Sequence, residues 1–222
     1  MHRTRVRKNR VLVMLLVCAF ITPTIFMLPG TSAEGEVTLF VDADNCPNVG
    51  DGTSGDPYCS INDAVSASSS GDTIVVEAGT YVLTSSIEIH HPLTVNGIQS
   101  GDSALSGWRA AGGNGESIID LRGGYGGFLI MSSDVSVNGF ELLGDENTRW
   151  GFYVSGGSGD ISNIEIANNI IHGMAKKQDA LRSTSWGILT DAVGSGQVLH
   201  TIDGLHIHGN HIYDIGGYDD SI

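Results

Sequence analysis

Basic residues are scarce in this chain: 11 Lys and Arg stand against 25 Asp and Glu. Five of the 11, Arg3, Arg5, Arg7, Lys8 and Arg10, lie at the very start. Beyond residue 33, six basic residues face 25 acidic ones, a formal charge of −19 with histidine neutral. Such a surface repels nucleic acid and anionic lipid, and it disfavours a polyanionic ligand unless cations or a local basic patch intervene. Cysteine is scarce too. Cys18, Cys46 and Cys59, with only aspartates near the last two, do not make a zinc site. Helix-like stretches are few, and the clear candidate is Ile61 to about Ser68. Ser60 with Asp63 gives it a capping-box pattern, and Ile61, Ala64 and Val65 form its apolar stripe. The long antiparallel strands of propeller blades and the spacing of leucine-rich repeats are both missing.

Residues 1–33 read as an export signal. The basic head precedes an apolar run from Val11 to Leu28, and Thr31-Ser32-Ala33 offers small residues where a signal peptidase cuts. The run is long enough to span a bilayer, with Pro23 interrupting it, so an uncleaved N-terminal anchor is the alternative reading. Cleavage would leave no membrane segment and a secreted or cell-surface protein. In that oxidising setting Cys46 and Cys59, within an extended segment 34–59, are expected to pair. Closing a loop of about fourteen residues stabilises by on the order of 3 kcal/mol in the chain-entropy picture.

What the chain has in quantity is glycine, 31 residues, and short β-branched runs, which together predict an all-β fold. A diverged repeat organises them. Val135–Leu142, Ile164–Ile171 and Leu205–Ile212 align, so that Val137, Ile166 and Ile207 match, as do Leu142, Ile171 and Ile212. A second series starts at Gly127, Gly151 and Gly187, with Trp150 and Trp186 preceding the last two glycines. The interval is 24 residues from Phe128 to Phe152 and 36 from Phe152 to Ile188, which is a constant coil with inserted loops. Each copy holds three short strands and a tight polar corner. Asn169 and Asn210 fall at that corner, where a side-chain amide can satisfy the turning backbone. Their expected role is structural.

The segments Pro57–Val65, Gly71–Val76, Ala78–Tyr81, Ile87–Ile89 and Pro92–Gly97 resemble the opening of the pectate lyase-like and pectinesterase-like β-helix superfamily. The resemblance implies a right-handed single-stranded parallel β-helix over 60–222, with a short capping α-helix at 60–68. It implies that the Gly127, Gly151 and Gly187 runs are first-sheet strands, whose outer face in that superfamily binds glycans. It is specific for fold and weak for activity.

On that face alternation exposes Leu129, Met131, Tyr153, Ser155, Leu189 and Asp191. Tyr153 would stack on a sugar ring, and Lys176, Lys177 and Arg182 in the preceding loop would meet an acidic sugar; a solvated loop is the simpler account of these three. Asp179 and Asp191 could contribute hard oxygen ligands to Ca2+ in a lyase-type site, although the ligand set is incomplete in sequence. Thr190-Asp191 and Tyr218–Ile222 resemble the Asn-Thr-Asp and Gly-Asp-Asp segments of polygalacturonase-like hydrolases, making Asp191, Asp219 and Asp220 the catalytic candidates. Leu189 stands where that pattern has Asn, and Tyr218 where it has Gly. The paired aspartates with arginine of an esterase are not found.

His206 and His208 share one side of a strand, which permits a metal pair, while outward polar positions explain them more simply. Trp108-Arg109, in a Gly/Ser-rich insertion, is expected to pack as a lid over the coil, the alternative being contact with a ligand. Ile222 falls where another strand should begin, so a continuation or a partner is expected over the open coil end. Two functions remain. One is an exported β-helix that binds or processes extracellular polysaccharide, as lyase or hydrolase if it is an enzyme. The other is a non-catalytic adhesin-like surface rod.

Overall fold

The computed structural model describes residues 35–107, 109–113, 115–174, 184–192 and 199–216. Strand β1 (Thr38–Val41) precedes the helix α1 (Ile61–Ala67). Triplets follow: β2 (Thr73–Val76), β3 (Gly79–Val82) and β4 (Ile87–Ile89), then β5 (Leu93–Gly97), β6 (Ser117–Asp120) and β7 (Gly126–Ile130). Next come β8 (Val135–Asn138), β9 (Phe140–Leu143) and β10 (Trp150–Ser155), then β11 (Ile161–Ala167), β12 (Ile170–His172) and β13 (Trp186–Asp191). The last pair is β14 (Ile202–His208) and β15 (His211–Ile212). All strand pairings are parallel. They form a six-stranded sheet ordered β1-β2-β5-β8-β11-β14, a four-stranded sheet β13-β10-β7-β4 and a five-stranded sheet β15-β12-β9-β6-β3. The class is all-β, and a chain that visits three parallel sheets in rotation is compatible with the expected coil.

Register follows the sequence repeat. Val137 pairs with Ile166 and Ile166 with Ile207; Leu142 pairs with Ile171 and Ile171 with Ile212. Phe128, Phe152 and Ile188 make the third inward column, with the two phenylalanine rings stacked at 5.2 Å. Because a parallel pairing puts like above like, each column is a continuous apolar stack. Burying each such side chain stabilises by roughly 1.5–3 kcal/mol. Burial thins along the stack: Ile166 and Ile171 are fully buried, whereas Ile207 is 46% and Ile212 42% exposed.

As a sequence, Gly79-Thr-Tyr81 reads as the end of the strand begun at Thr73; in the structure it opens a separate strand in another sheet. Within the segment 34–59, β1 pairs with β2 as the outer strand of the six-stranded sheet. The helix starts as expected: the Ser60 hydroxyl accepts from the Asp63 N–H at 3.1 Å, and Ile61, Ala64 and Val65 are buried. It packs against β4, β1 and β2. The Cys46–Cys59 disulfide is present, with Cα atoms 5.0 Å apart.

The corners are held by side-chain amides. Asn169, fully buried, accepts from the Phe140 N–H at 3.0 Å through Oδ1. Its Nδ2 donates to the Val137 carbonyl at 3.3 Å and to Asn210 Oδ1 at 3.1 Å. Asn210 repeats the pattern one strand on, accepting from the Asn169 N–H at 2.8 Å and donating to the Ile166 carbonyl at 2.7 Å. A second corner column is left-handed: Gly139 (φ 84°), Asn168 (φ 56°) and Gly209 (φ 63°) stack in register. At Gly139 a Cβ would collide with the Ser100 backbone, so glycine is required there.

The insertion between β5 and β6 runs along this corner as a strap. Gly101 N–H donates to Asn138 Oδ1 at 3.1 Å, Ala104 N–H to the Gly209 carbonyl at 2.9 Å and Gly112 N–H to Glu141 Oε2 at 2.7 Å. Arg109 anchors it from within. Its buried guanidinium grips Glu116 through Nε at 3.0 Å and Nη2 at 2.8 Å, while Nη1 donates to the carbonyls of Asp102 and Asn168.

Asn169→Ala leaves the buried Phe140 N–H without its acceptor, and denaturant unfolding should show a loss of about 2 kcal/mol. Arg109→Met strands the Glu116 carboxylate in the interior, and the same measurement should show a loss of about 3–5 kcal/mol. Arg109→Met with Glu116→Met should recover part of that loss; no recovery would mean the charge pair is not what anchors the strap.

Candidate functional site

The outer face of the four-stranded sheet is built from two rows that alternation turns away from the phenylalanine core. The first row, in register, is Glu88, Leu129, Tyr153 and Leu189. The second lies two residues along each strand and includes Met131, Ser155 and Asp191, with Ser155 paired to Asp191. Tyr153 Oη donates to Asp191 Oδ2 at 3.3 Å. The structure thus brings these two residues together.

Where the strands begin, the face turns aromatic. Tyr125 and Trp150 meet edge to face at 4.9 Å, and Trp150 meets Tyr153 at 5.3 Å. The Arg149 guanidinium lies 5.3 Å over the Trp186 ring and 5.8 Å from the Tyr125 ring, within cation–π range. Backbone pairing makes the cluster: Arg149 N–H donates to the Tyr125 carbonyl at 2.8 Å, and Trp186 N–H to the Arg149 carbonyl at 3.0 Å. Tyr125 is 56% exposed, while the Trp150 indole N–H is buried over Gly126 and has no hydrogen-bond partner among the described residues. The result is a strip of partly exposed rings that leads through Tyr153 to a carboxylate.

Lys176, Lys177, Asp179, Arg182, Asp219 and Asp220 lie outside the described residues, as do Trp108 and residues 1–33. The two carboxylates in the described rows are Glu88 on β4 and Asp191 on β13, three strand steps apart. At about 4.8 Å per step that is roughly 14 Å, wider than the roughly 5–9.5 Å that paired-carboxylate hydrolysis uses. The histidines do not converge. His208 Nε2 lies 3.1 Å from Glu165 Oε1 on the six-stranded sheet, whereas His211 lies tilted against Tyr213 at the five-stranded sheet. Among the described residues, no group of three or more His, Cys, Asp or Glu is placed to hold a metal ion. Likewise, no helix among them is long and apolar enough to cross a membrane.

Two further polar clusters face outward on the other sheets. On the six-stranded sheet, a cleft of about 420 Å³ is lined in part by Ser136, Glu165 and His206. On the five-stranded sheet, buried Glu141 accepts from Gly112 and lies 2.9 Å from His172 Nε2. His172 in turn stacks on Tyr213 at 5.1 Å.

No protein-family model matches this chain, and neither the curated protein sequences nor the solved structures contain a significant match. The site therefore stands on its own geometry. Sequence reasoning missed Tyr125 and Arg149, although extending the repeat alignment one residue before Gly126 and Trp150 would have brought them together. It also missed the buried Arg109–Glu116 pair, for which no local pattern exists.

Glu165 shows how this surface responds to acid. A hydrogen bond from Ser136 at 2.7 Å, and then one from His208, hold its carboxyl below the usual range. A carboxylate whose pKa falls on folding adds stability above its unfolded value, and that stability is lost as pH drops through the folded value. Ser136→Ala should move the Glu165 titration upward toward an ordinary glutamate, followed by carboxyl 13C NMR. An unmoved titration would show that the serine does not set it.

Proposed function

We propose that this protein is an exported, right-handed parallel β-helix, capped by α1, that holds an extracellular polysaccharide across the outer face of its four-stranded sheet. The observation that carries the reading is the ring strip of Tyr125, Trp150, Tyr153 and Trp186 leading to the Tyr153–Asp191 hydrogen bond. Partly exposed rings offer flat apolar faces to the C–H faces of sugars. A carboxylate beside them accepts sugar hydroxyls. The disulfide suits an oxidising compartment, and the acidic composition argues against nucleic acid as the partner.

Binding without turnover is the form of this reading that the ring strip supports; Glu88 and Asp191, the carboxylates of the described rows, stand too far apart to act as a hydrolytic pair with each other. The same geometry suits a surface rod that adheres to glycan. Retention on immobilised pectate, alginate, chondroitin and cellulose, with and without calcium, tests it. At least one polysaccharide should retain the protein without new reducing ends or unsaturated product. Replacing Tyr125 and Trp186 together by Ala should weaken that retention at least tenfold, about 1.4 kcal/mol or more. Retention indifferent to the two rings would remove the site, and product formation would turn the reading to an enzyme.

A further inference from the structure

A cleft of about 580 Å³ opens between α1 and β4, within the roughly 300–1,000 Å³ typical of small-ligand sites. Its wall is four serines, an asparagine, a glutamate and two histidines, with Val65 the apolar member. The hydrogen-bond directions of that wall define what it can receive. Ser66 Oγ donates to the Asn62 carbonyl at 2.7 Å, Ser68 Oγ to the Val65 carbonyl at 2.8 Å and Ser86 Oγ to the Gly126 carbonyl at 3.1 Å. Each hydroxyl has one hydrogen, so these three oxygens remain only as acceptors. Asn62 Nδ2 is engaged by Ser85 Oγ at 3.3 Å.

The imidazoles are set the same way. Since the Ser68 hydrogen is committed, its oxygen accepts from His91 Nε2 at 3.0 Å, leaving Nδ1 of the neutral ring as an acceptor. His90 Nε2 donates to Glu88 Oε2 at 3.3 Å. The wall contains no Lys or Arg. It is rich in acceptors, carries one carboxylate and sits on an acidic protein.

We propose that this cleft binds one amino-bearing sugar unit, with its ammonium on Glu88 and its hydroxyls donating to the serine oxygens and to His91 Nδ1. A uronate or sulfated unit would press an anion against Glu88 and against three serine oxygens that have no hydrogen to return, with only the Ser85 O–H and one Asn62 N–H left to meet it. The inference rests on the glycan reading of the neighbouring face, because Glu88 opens the row that continues through Leu129 to Tyr153. A chain lying across the strands would reach the cleft at the β4 end.

The test is calorimetric titration of the secreted protein with oligomers of glucosamine, glucose and galacturonate, with amide NMR to locate the contact. Glucosamine oligomers should bind about tenfold more tightly than glucose oligomers, perturb residues of α1 and β4, and exceed galacturonate further. Glu88→Gln should abolish the preference without unfolding the protein, since the Glu88 side chain is 56% exposed. Galacturonate binding at least as tightly, or a glucosamine preference that survives Glu88→Gln, overturns the proposal. If oligomers bind without preference and only the Tyr125 and Trp186 replacements abolish binding, the cleft falls and the face reading stands. If no oligomer binds, both fall.

Discussion

Parallel register is the constraint on which the rest of this structure depends. Each residue sits above its counterpart one triplet earlier, so any chemistry placed once is multiplied along the stack. Inward, this makes the columns of Phe128, Phe152 and Ile188 and of Val137, Ile166 and Ile207. At the corners it lets one amide satisfy the backbone of the neighbouring triplet, as Asn169 does for Phe140 and Asn210 does for Asn169. Outward, the same rule turns two spaced positions into continuous rows. The candidate binding face is a consequence of register before it is a consequence of any single residue.

Register alone leaves the corners vulnerable, because a tight turn strands N–H and carbonyl groups that water cannot reach. The strap between β5 and β6 answers this with a long-range set of bonds to Asn138, Asn168, Glu141 and Gly209. A buried arginine is costly unless every donor is used. Arg109 meets that condition through a bidentate carboxylate and three carbonyls, those of Asp102, Asn168 and Phe140. Stability along the five-stranded side thus depends on a loop inserted into the repeat, and variation in repeat length is a structural device here as much as a tolerated irregularity.

The functional surfaces divide by hydrogen-bond polarity. The ring strip offers apolar faces with one carboxylate beyond it, and the α1–β4 cleft offers serine oxygens of which three have their hydrogens already spent on the backbone. Among the described residues the cleft contains no Lys or Arg, whereas the ring strip carries the Arg149 guanidinium over Trp186 and beside Tyr125. The basic loop residues Lys176, Lys177 and Arg182 lie outside the described residues.

The all-β class, the inward columns and the disulfide were legible in the sequence, because a period-two pattern repeated in register leaves like residues at matching positions. Trp150, Trp186 and the corner asparagines were visible for the same reason. The Arg109–Glu116 pair was not, since its partners Asn168 and Phe140 are distant in sequence and carry no shared pattern. The separation of Gly79–Val82 from Thr73–Val76 was also hidden, because a corner of two residues looks like a continuous strand. The acceptor-lined cleft depends on which carbonyl each serine reaches across α1 and β4. Composition names the hydroxyls, but only the packed backbone decides the direction in which they donate.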